Sequence, residues 1–282
     1  MSPGTIAVPY PEGFRMRRSA LILCVGLTSA LNAGATTFSM DVSDIWYASP
    51  AESEAGWGVN VAQQGNILFV TMFVYGANGQ PTWFVGSNTA YSGGGGTSMS
   101  FSGPLYATGG TAYSAPWNPN ALNMRQVGTV TFQLTSATTA RLTYTVDGAQ
   151  VTKNIVRQTW KLNDLSGQYI GALAGTFSQC KNAATNGFTL EYATVAITQQ
   201  GSSIEMAMEN SDGNGRCEYS GTYTQGGRLG SISGNYTCSG GNVGTFTASN
   251  VEGSPIGISM ELEERASFCN YSGRVGAVRS TR

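Results

Sequence analysis

The sequence predicts an all-β protein made of two consecutive antiparallel up-and-down units, each closed into a small β-barrel or packed as a sandwich. The composition supports this class, because only 11% of the residues are charged, 10% are aromatic and 38 are glycine, as is typical of short strands joined by tight turns. Apolar and polar residues alternate with a period of two along much of the chain after residue 40. A hairpin pattern also occurs twice, so we expect a duplicated unit.

The first copy of the hairpin pattern spans residues 63–88. It reads as two strands, residues 67–77 and 80–88, joined at Asn78-Gly79. The Asn-Gly dipeptide most readily takes the two positive φ angles of a type I′ turn, so we predict a two-residue turn. The cross-strand pairs that this turn sets are Val74–Trp83, Met72–Val85 and Phe73–Phe84.

The second copy lies 136 residues further along the chain. The matched positions are Gln63-Gln64-Gly65 with Gln199-Gln200-Gly201, Met72 with Met208, Asn78-Gly79 with Asn214-Gly215, and Trp83 with Tyr219. Two turns at one spacing indicate that the chain repeats one β unit.

The first unit is predicted to cover residues 36–160 with seven or eight strands. Apolar alternation marks strands near residues 99–101, 130–134 and 142–146, Asp147-Gly148 turns the chain, and residues 151–160 return. Residues 107–126 contain Gly-Gly, two prolines and Trp117, so we expect a long loop there. A sheet of this size with one apolar face has to close or pack on another sheet, because open edges promote aggregation.

Residues 161–167 read as a short polar linker, and the second unit covers residues 168–282 with eight strands. One of these strands alternates in the manner of a half-buried strand. Its apolar side chains are Ile256, Ile258, Met260 and Leu262. We expect the neighbouring acidic group to form a solvated strand face; its members are Glu261, Glu263 and Glu264.

The N-terminus predicts export from the cytoplasm. Met16-Arg17-Arg18 precedes an apolar run at residues 19–31 that is too short to span a bilayer, and small residues follow up to Ala35, as in a cleaved signal peptide. We expect residues 1–35 to be absent from a secreted or periplasmic mature protein with no membrane span. Met16 is an alternative start, which would leave residues 1–15 untranslated. Lipidation of Cys24 is less favoured, because Leu23 stands where a small residue is needed.

Four cysteines follow the signal segment, all in the second unit: Cys180, Cys217, Cys238 and Cys269. Disulfides suit an exported protein, and the spacing lacks the paired Cys-x-x-Cys of zinc sites, so we expect no metal. A turn centred on Gly227-Arg228 places Cys217 opposite Cys238. Cys180 and Cys269 then lie at the first and last strands, which a closed barrel makes neighbours. The predicted bonds are therefore Cys217–Cys238 and Cys180–Cys269.

A series of short motifs runs through the first unit. They are Trp46-Tyr47, Pro50-Ala51-Glu52-Ser53, Gly56-Trp57-Gly58, Gln63-Gln64-Gly65 and Pro81-Thr82-Trp83. Over about residues 44–160 this pattern resembles a family of uncharacterised secreted proteobacterial β proteins, a resemblance that implies no particular activity. The chain differs from that pattern by the insertion of Glu54-Ala55.

The candidate ligand-binding residues from these motifs are Trp46, Glu52, Glu54, Trp57 and Trp83. Two carboxylates beside tryptophans could form a glycosidase pair or a sugar-stacking site. The stronger interpretation places Trp46 and Trp57 in the core, with Glu52 and Glu54 in solvent.

Two further patterns occur in the second unit. Residues 210–215 resemble the opening of a calcium loop, but Gly221 stands where the twelfth position needs Glu, and a hairpin turn explains the same residues. Several tyrosines and methionines share one predicted face; they are Met206, Met208, Tyr219, Tyr223 and Tyr236. They could line a ligand cavity, since an eight-stranded barrel can hold one small molecule, although filling the interior is the commoner outcome.

Histidine is absent, which excludes catalytic triads and His-containing zinc sites. The 15 basic and 16 acidic residues nearly cancel, so we expect no nucleic-acid partner. We expect an exported non-enzymatic binding or surface protein without cofactor, whose partner is an unknown small molecule, glycan or protein. One alternative is a small-ligand carrier that uses a barrel interior, as avidin-like and lipocalin-like barrels do. The other is a carboxylate-based glycoside hydrolase using Glu52 or Glu54.

Overall fold

The computed structural model describes residues 40–213 and 215–280, which form sixteen strands in two closed antiparallel barrels. The first barrel comprises β1 (Asp44–Ala48), β2 (Gly58–Gln64), β3 (Ile67–Tyr75), β4 (Pro81–Gly93), β5 (Ser100–Gly109), β6 (Asn123–Leu134), β7 (Thr139–Val146) and β8 (Ala149–Arg157). The second comprises β9 (Gly167–Ser178), β10 (Gly187–Gln200), β11 (Ser203–Asn210), β12 (Arg216–Gly226), β13 (Leu229–Cys238), β14 (Val243–Ser254), β15 (Gly257–Ala266) and β16 (Asn270–Arg279). Short 3₁₀ helices lie at Gly96–Ser98, Pro119–Ala121 and Ala183–Thr185.

The predicted all-β fold with two up-and-down barrels is confirmed. Each barrel closes by pairing its first strand with its last, β1 with β8 and β9 with β16. Closure removes the open sheet edges that a sandwich would have to protect in another way. The predicted signal segment, residues 1–35, and Cys24 lie outside the described residues.

One end of each barrel is closed by an aromatic ring covered by an arginine. In the first barrel the guanidinium carbon of Arg157 lies 4.7 Å from the centroid of the Trp46 ring. In the second barrel that of Arg279 lies 4.9 Å from the centroid of the Tyr169 ring. Both distances suit a cation–π interaction. We call these the closed ends of the barrels.

The repeated Gln-Gln-Gly motif belongs to these closed ends. The side-chain oxygen of Gln63 accepts a hydrogen bond from the Val42 N–H at 2.9 Å, and that of Gln199 accepts one from the Leu165 N–H at 2.9 Å. Each glutamine also donates to the carbonyl two residues further along its turn. The two barrels therefore share equivalent contacts as well as equal strand numbers, which confirms the duplication.

Residues 161–167 are packed against the second barrel, which corrects their interpretation as a polar linker. Leu165 is fully buried in the core of the second barrel. The Asn163 N–H donates to the side-chain oxygen of Gln225 at 2.7 Å, and the amide of Gln225 donates to the Lys161 carbonyl at 3.0 Å. β9 already begins at Gly167. The segment is short and mostly polar, but the burial of Leu165 and the hydrogen bonds of the partly buried Gln225 fix its course.

The turn between β12 and β13 contacts the closed end of the first barrel. Leu229 is buried in the core cluster of the first barrel. The Arg228 N–H donates to Asp44 Oδ2 at 3.1 Å, and its guanidinium forms an ion pair with Asp41 at 2.6 Å. The Gly227 N–H donates to Thr159 Oγ1 at 2.8 Å. The closed end of one barrel thus packs on the closed end of the other.

The predicted register of the first hairpin is wrong by one residue. In the structure Phe73 pairs with Trp83, and Met72 pairs with Phe84. The connection is a three-residue loop in which Gly79 alone has a left-handed φ, +73°, as in a type I turn followed by a glycine in the αL region. The side chain of Asn78 accepts from the Gln80 N–H instead of adopting positive φ itself. Because side chains alternate, this slip moves Trp83 to the outer face.

Two smaller details also differ from expectation. The loop predicted at residues 107–126 is shorter, because β5 extends to Gly109 and β6 begins at Asn123. Ile256 lies in a turn before β15 and is 79% exposed, although the next three alternating residues of that strand are buried. In the β11–β12 connection Gly213 has a left-handed φ of 72°, whereas Asn214 of the predicted Asn-Gly turn lies outside the described residues.

Candidate ligand-binding site

The interior of the first barrel is filled by apolar side chains. Those with the largest volumes that are fully buried include Trp46, Met72, Phe101, Leu105, Phe132 and Leu142. Trp46 and Phe132 meet edge to face with ring centroids 5.1 Å apart. This core matches the interpretation of Trp46 as a core residue, since its indole nitrogen is also satisfied by the Val42 carbonyl.

The candidate residues of the loop before β2 form a small ion-paired group at the other end of the first barrel. Lys153 Nζ donates to both carboxylate oxygens of Glu54, at 2.6 and 2.7 Å, and lies 5.3 Å from the Trp57 ring centroid. Trp57 is buried, and its indole nitrogen has no hydrogen-bond partner among the described residues. Glu52 is exposed in a left-handed conformation with φ 64°.

The structure therefore does not gather the five candidate residues into one site. Trp46 is in the core, Trp57 and Glu54 share a contact with Lys153, and Trp83 lies half-exposed on the outer face opposite Phe73. Trp83 and Phe73 are paired on the outer face because the hairpin has a register one residue away from the predicted one.

A cavity lies inside the second barrel, at the end opposite Tyr169 and Arg279. Its volume is about 100 Å³. The lining residues come from the ends of β9, β11 and β15 and from the starts of β10, β12 and β16; they include Phe177, Glu191, Met208, Tyr219, Glu264 and Tyr271. We call this the open-end cavity. The prediction that five tyrosines and methionines share the inner face is confirmed, since Met206, Met208, Tyr219, Tyr223 and Tyr236 are all buried in the core of the second barrel. Of these, Met208 and Tyr219 line the cavity.

Glu264 is buried in this cavity, which corrects its assignment to a solvated face. The residue is 8% exposed, and its Oε1 accepts a hydrogen bond from the Tyr219 hydroxyl at 2.6 Å. Burial raises the pKa of the Glu264 carboxyl, the Tyr219 bond lowers it in part, and the charge of Glu191 raises it again. The signal was present in the sequence, since Glu264 continues the inward series of Ile258, Met260 and Leu262.

Two further tyrosines bring unpaired hydroxyl groups into the same barrel end. Tyr236 is 3% exposed and Tyr271 is 5% exposed, yet neither hydroxyl has a hydrogen-bond partner within residues 40–213 and 215–280. Burial, together with the nearby charge of Glu264, raises the pKa of both tyrosines to about 12, although the side chain of Asn242 offsets part of the rise at Tyr236. Tyr219 stacks on Tyr236 with ring centroids 5.6 Å apart. An unpaired buried hydroxyl costs free energy, so such groups call for a partner.

The position of Tyr271 depends on two glycines. A Cβ at Gly175 would lie 2.6 Å from the Tyr271 hydroxyl oxygen, and one at Gly273 would meet the same atom. The tyrosine ring thus lies along the barrel wall over residues without side chains. It also contacts Phe177, with ring centroids 5.1 Å apart. This packing holds the Tyr271 hydroxyl at the cavity wall.

Both disulfides lie at the open end of the second barrel. Cys180–Cys269 joins the chain just after β9 to the chain just before β16, and Cys217–Cys238 joins paired residues of β12 and β13. The sequence favoured these two bonds, and the structure contains them. Cys217 also lines the cavity. The strand ends that form the rim are therefore covalently tied, which limits their motion when the cavity is empty.

A larger depression of about 540 Å³ lies on the outer face of β10–β13. Its charged lining residues are Glu205, Arg216 and Glu218. Arg216 forms ion pairs with Glu218 at 3.2 Å and with Glu209 at 3.5 Å. Exposed ion pairs of this kind contribute little to the free energy of unfolding. We favour the open-end cavity because it contains the buried Glu264 carboxyl and the buried Tyr271 hydroxyl, which has no hydrogen-bond partner among the described residues.

Within the part of the chain that the structure describes, no group of three or more His, Cys, Asp or Glu side chains could hold a metal ion. The described helices are all too short and too polar to cross a bilayer. In comparisons with known proteins, no family model matches this chain and no curated protein is significantly similar to it. The resemblance to secreted proteobacterial β proteins stays a prediction.

Proposed function

We propose that this chain is a non-enzymatic binding protein that works outside the cytoplasm and holds a small molecule in the open-end cavity of its second barrel. The observation that carries the proposal is the presence of the buried Glu264 carboxyl and the unpaired Tyr271 hydroxyl in the lining of one cavity. Leaving such groups unsatisfied is costly in a filled core. A ligand that hydrogen-bonds to them recovers that free energy.

The contrast between the two barrels supports this proposal. The first barrel has an apolar interior around Trp46 and Phe132, which suits a structural role. The second barrel places tyrosines, Glu264 and Glu191 around a cavity whose rim carries both disulfides. Disulfides form in oxidising compartments, so they support export. A preformed, tied rim lowers the ordering cost of binding.

Native mass spectrometry of the protein purified from the cells that naturally produce it tests the proposal. We expect a fraction of the molecules to retain a small molecule that denaturation releases. The Tyr271→Phe variant should retain less, because it lacks one of the unpaired hydroxyls. Tyr192→Phe is the matched control, since Tyr192 is 65% exposed on the neighbouring outer surface. Protein without any retained mass, and without a thermal shift in a library of small metabolites, would contradict the proposal.

The glycoside hydrolase alternative depends on Glu52 and Glu54. Lys153 bonds both oxygens of Glu54, which favours a structural role for this carboxylate. Hydrolysis of a panel of polysaccharides that is lost in Glu52→Gln and in Glu54→Gln would support the enzyme instead.

A further inference from the structure

We propose that the open-end cavity selects a primary ammonium group, so that its ligand is an organic amine bound as a cation. This inference rests on the proposed function, because it names the chemical class of the ligand in the same cavity. It follows from the charge of the lining, the hydrogen-bonding groups, the aromatic walls and the volume.

The charge of the lining is the first argument. Glu264 and Glu191 both line the cavity. The lining residues that the structure describes include no Lys or Arg. The arginines on the outer faces of this barrel are paired elsewhere, Arg265 with Glu263 and Arg274 with Glu261. The ionisable carboxyl groups of the lining would repel an anionic ligand, whereas a cation would stabilise their ionised form.

The hydrogen-bonding groups are the second argument. A primary ammonium group has three N–H donors and no acceptor. Glu264 keeps one carboxyl oxygen that does not accept the Tyr219 hydrogen bond, and the Tyr271 hydroxyl oxygen has no partner among the described residues. Both can accept from one ammonium group. Asn210 also lines the cavity, and its side chain carries a further possible acceptor.

The walls and the volume are the third argument. Phe177, Tyr219 and Tyr271 line the cavity, and the faces of aromatic rings attract cations. A volume of about 100 Å³ equals roughly three molecules of liquid water at about 30 Å³ each. It accepts an ammonium group with a short alkyl stem. Any larger part of the ligand has to extend through the mouth.

Binding of the cation is coupled to a proton. In the free protein Glu264 faces Tyr219, Tyr236, Tyr271 and Glu191, and its burial favours the protonated carboxyl. The ammonium group stabilises the carboxylate, so the carboxyl proton leaves to solvent when the amine binds. The charge balances, because the protonated Glu264 and the ammonium ion react to give a carboxylate–ammonium ion pair and one proton in solvent. Affinity should therefore rise with pH up to the raised pKa of Glu264.

Isothermal titration calorimetry with four-atom probes tests this inference. The probes are n-propylamine, propan-1-ol and acetate, which share a size and differ in charge. We expect n-propylamine to bind at least tenfold more tightly than the other two, with a dissociation constant no tighter than tens of micromolar for so small a ligand. Titrations near pH 5 in two buffers of different ionisation enthalpy should show proton release.

Variants make the test specific. Glu264→Gln keeps the shape and the Tyr219 contact, and it should weaken n-propylamine binding by about 30-fold or more, as expected when one partner of a buried charge pair is lost. Glu263→Gln removes the same charge from the adjacent exposed position and should change affinity less than twofold. If Glu264→Gln fails to fold, proton release by the unmodified protein still decides.

The outcomes separate this inference from the proposed function. Binding of propan-1-ol as tight as that of n-propylamine would overturn the amine inference and leave the binding function standing. If no probe binds, the composition of the ligand retained by the native protein decides, and a ligand without an amine overturns the inference. If no probe binds and the native protein retains no ligand, both the amine inference and the proposed binding function are contradicted.

Discussion

Arg157 lies over the indole ring of Trp46, and its guanidinium also donates to the carbonyls of Asp41, Ser43 and Ala137. Its side chain is completely buried, and Asp44 pairs with it at 3.0 Å. One arginine thus joins β8 to the segment before β1 and covers the core of the first barrel.

We expect Arg157→Met to destabilise the first barrel by about 3 kcal/mol or more, because it removes the counter-charge of Asp44 and leaves three carbonyls without the guanidinium that donates to them. All five tryptophans precede residue 161, so urea unfolding followed by tryptophan fluorescence reports on this barrel. Arg125→Met is the control, since Arg125 forms an exposed ion pair with Asp147, and it should change the transition little. Equal effects from the two variants would contradict the role of Arg157.

Loss of the Cys180–Cys269 disulfide should destabilise the second barrel. The bond closes a loop with a sequence separation of 89, and the chain-entropy relation gives about 4.6 kcal/mol for such a loop. In Cys269→Ser the far-UV circular dichroism transition should separate from the tryptophan transition, which should stay in place. Non-reducing peptide mapping of the unmodified protein provides the control, and a Cys180–Cys217 peptide would argue against the pairing.

The stability of the second barrel should fall as pH rises through the pKa of Glu264. Its folded pKa is raised, so the folded state holds the proton more firmly than the unfolded chain, and that contribution is complete below the ordinary pKa of about 4.3. It is lost as pH increases through the raised value. Glu264→Gln should remove this part of the pH dependence, whereas Glu263→Gln should keep it. Urea titrations at several pH values, followed by tyrosine near-UV circular dichroism, measure the difference.

A substitution at Gly79 tests the observed turn of the first hairpin. Gly79 has φ +73° with open space around its Cβ position, so Gly79→Ala should cost about 1 kcal/mol through backbone strain alone. Gly95 also has open space and an extended φ of −164°, and Gly95→Ala should be nearly neutral. A neutral Gly79→Ala would mean that the turn is formed differently.

Limited proteolysis should cut residues 110–122 before residues 161–167. The first segment is exposed almost throughout and includes Tyr113 and Trp117 at the surface. The second is anchored by Leu165 and by hydrogen bonds to Gln225. Mass spectrometry of early fragments identifies the cut, and a first cleavage within residues 161–167 would contradict the packing of Leu165.

Sequence reasoning predicted the β12–β13 hairpin correctly because, of two possible turn centres, only Gly227-Arg228 places Cys217 opposite Cys238, whereas Gly226-Gly227 would place Tyr236 there. Gly227, with φ +64°, fixes a two-residue turn, and Cys217–Cys238 and Tyr219–Tyr236 follow as direct pairs. Asn78-Gly79 is compatible with two hairpin loops, because both a two-residue loop and a three-residue loop can contain this dipeptide. Nothing local distinguishes them, so the position of Trp83 was missed.

The site was harder to predict than the fold. Glu264 lies in a run of acidic residues, which are usually exposed to solvent. In β15, however, it is in register with the inward-facing residues, so its side chain lies inside the barrel. The unpaired hydroxyl of Tyr271 depends on Gly175 and Gly273 across two strands. Such contacts between distant positions follow from barrel closure and not from any local pattern.

Leu229 belongs to the chain of the second barrel but is buried in the core of the first. The two copies are consequently no longer independent modules. A gene cut after residue 160 would give a second half with an apolar residue at the tip of a turn, and a first half that lacks part of its core. Separate production of the halves should therefore be helped by a polar substitution at Leu229.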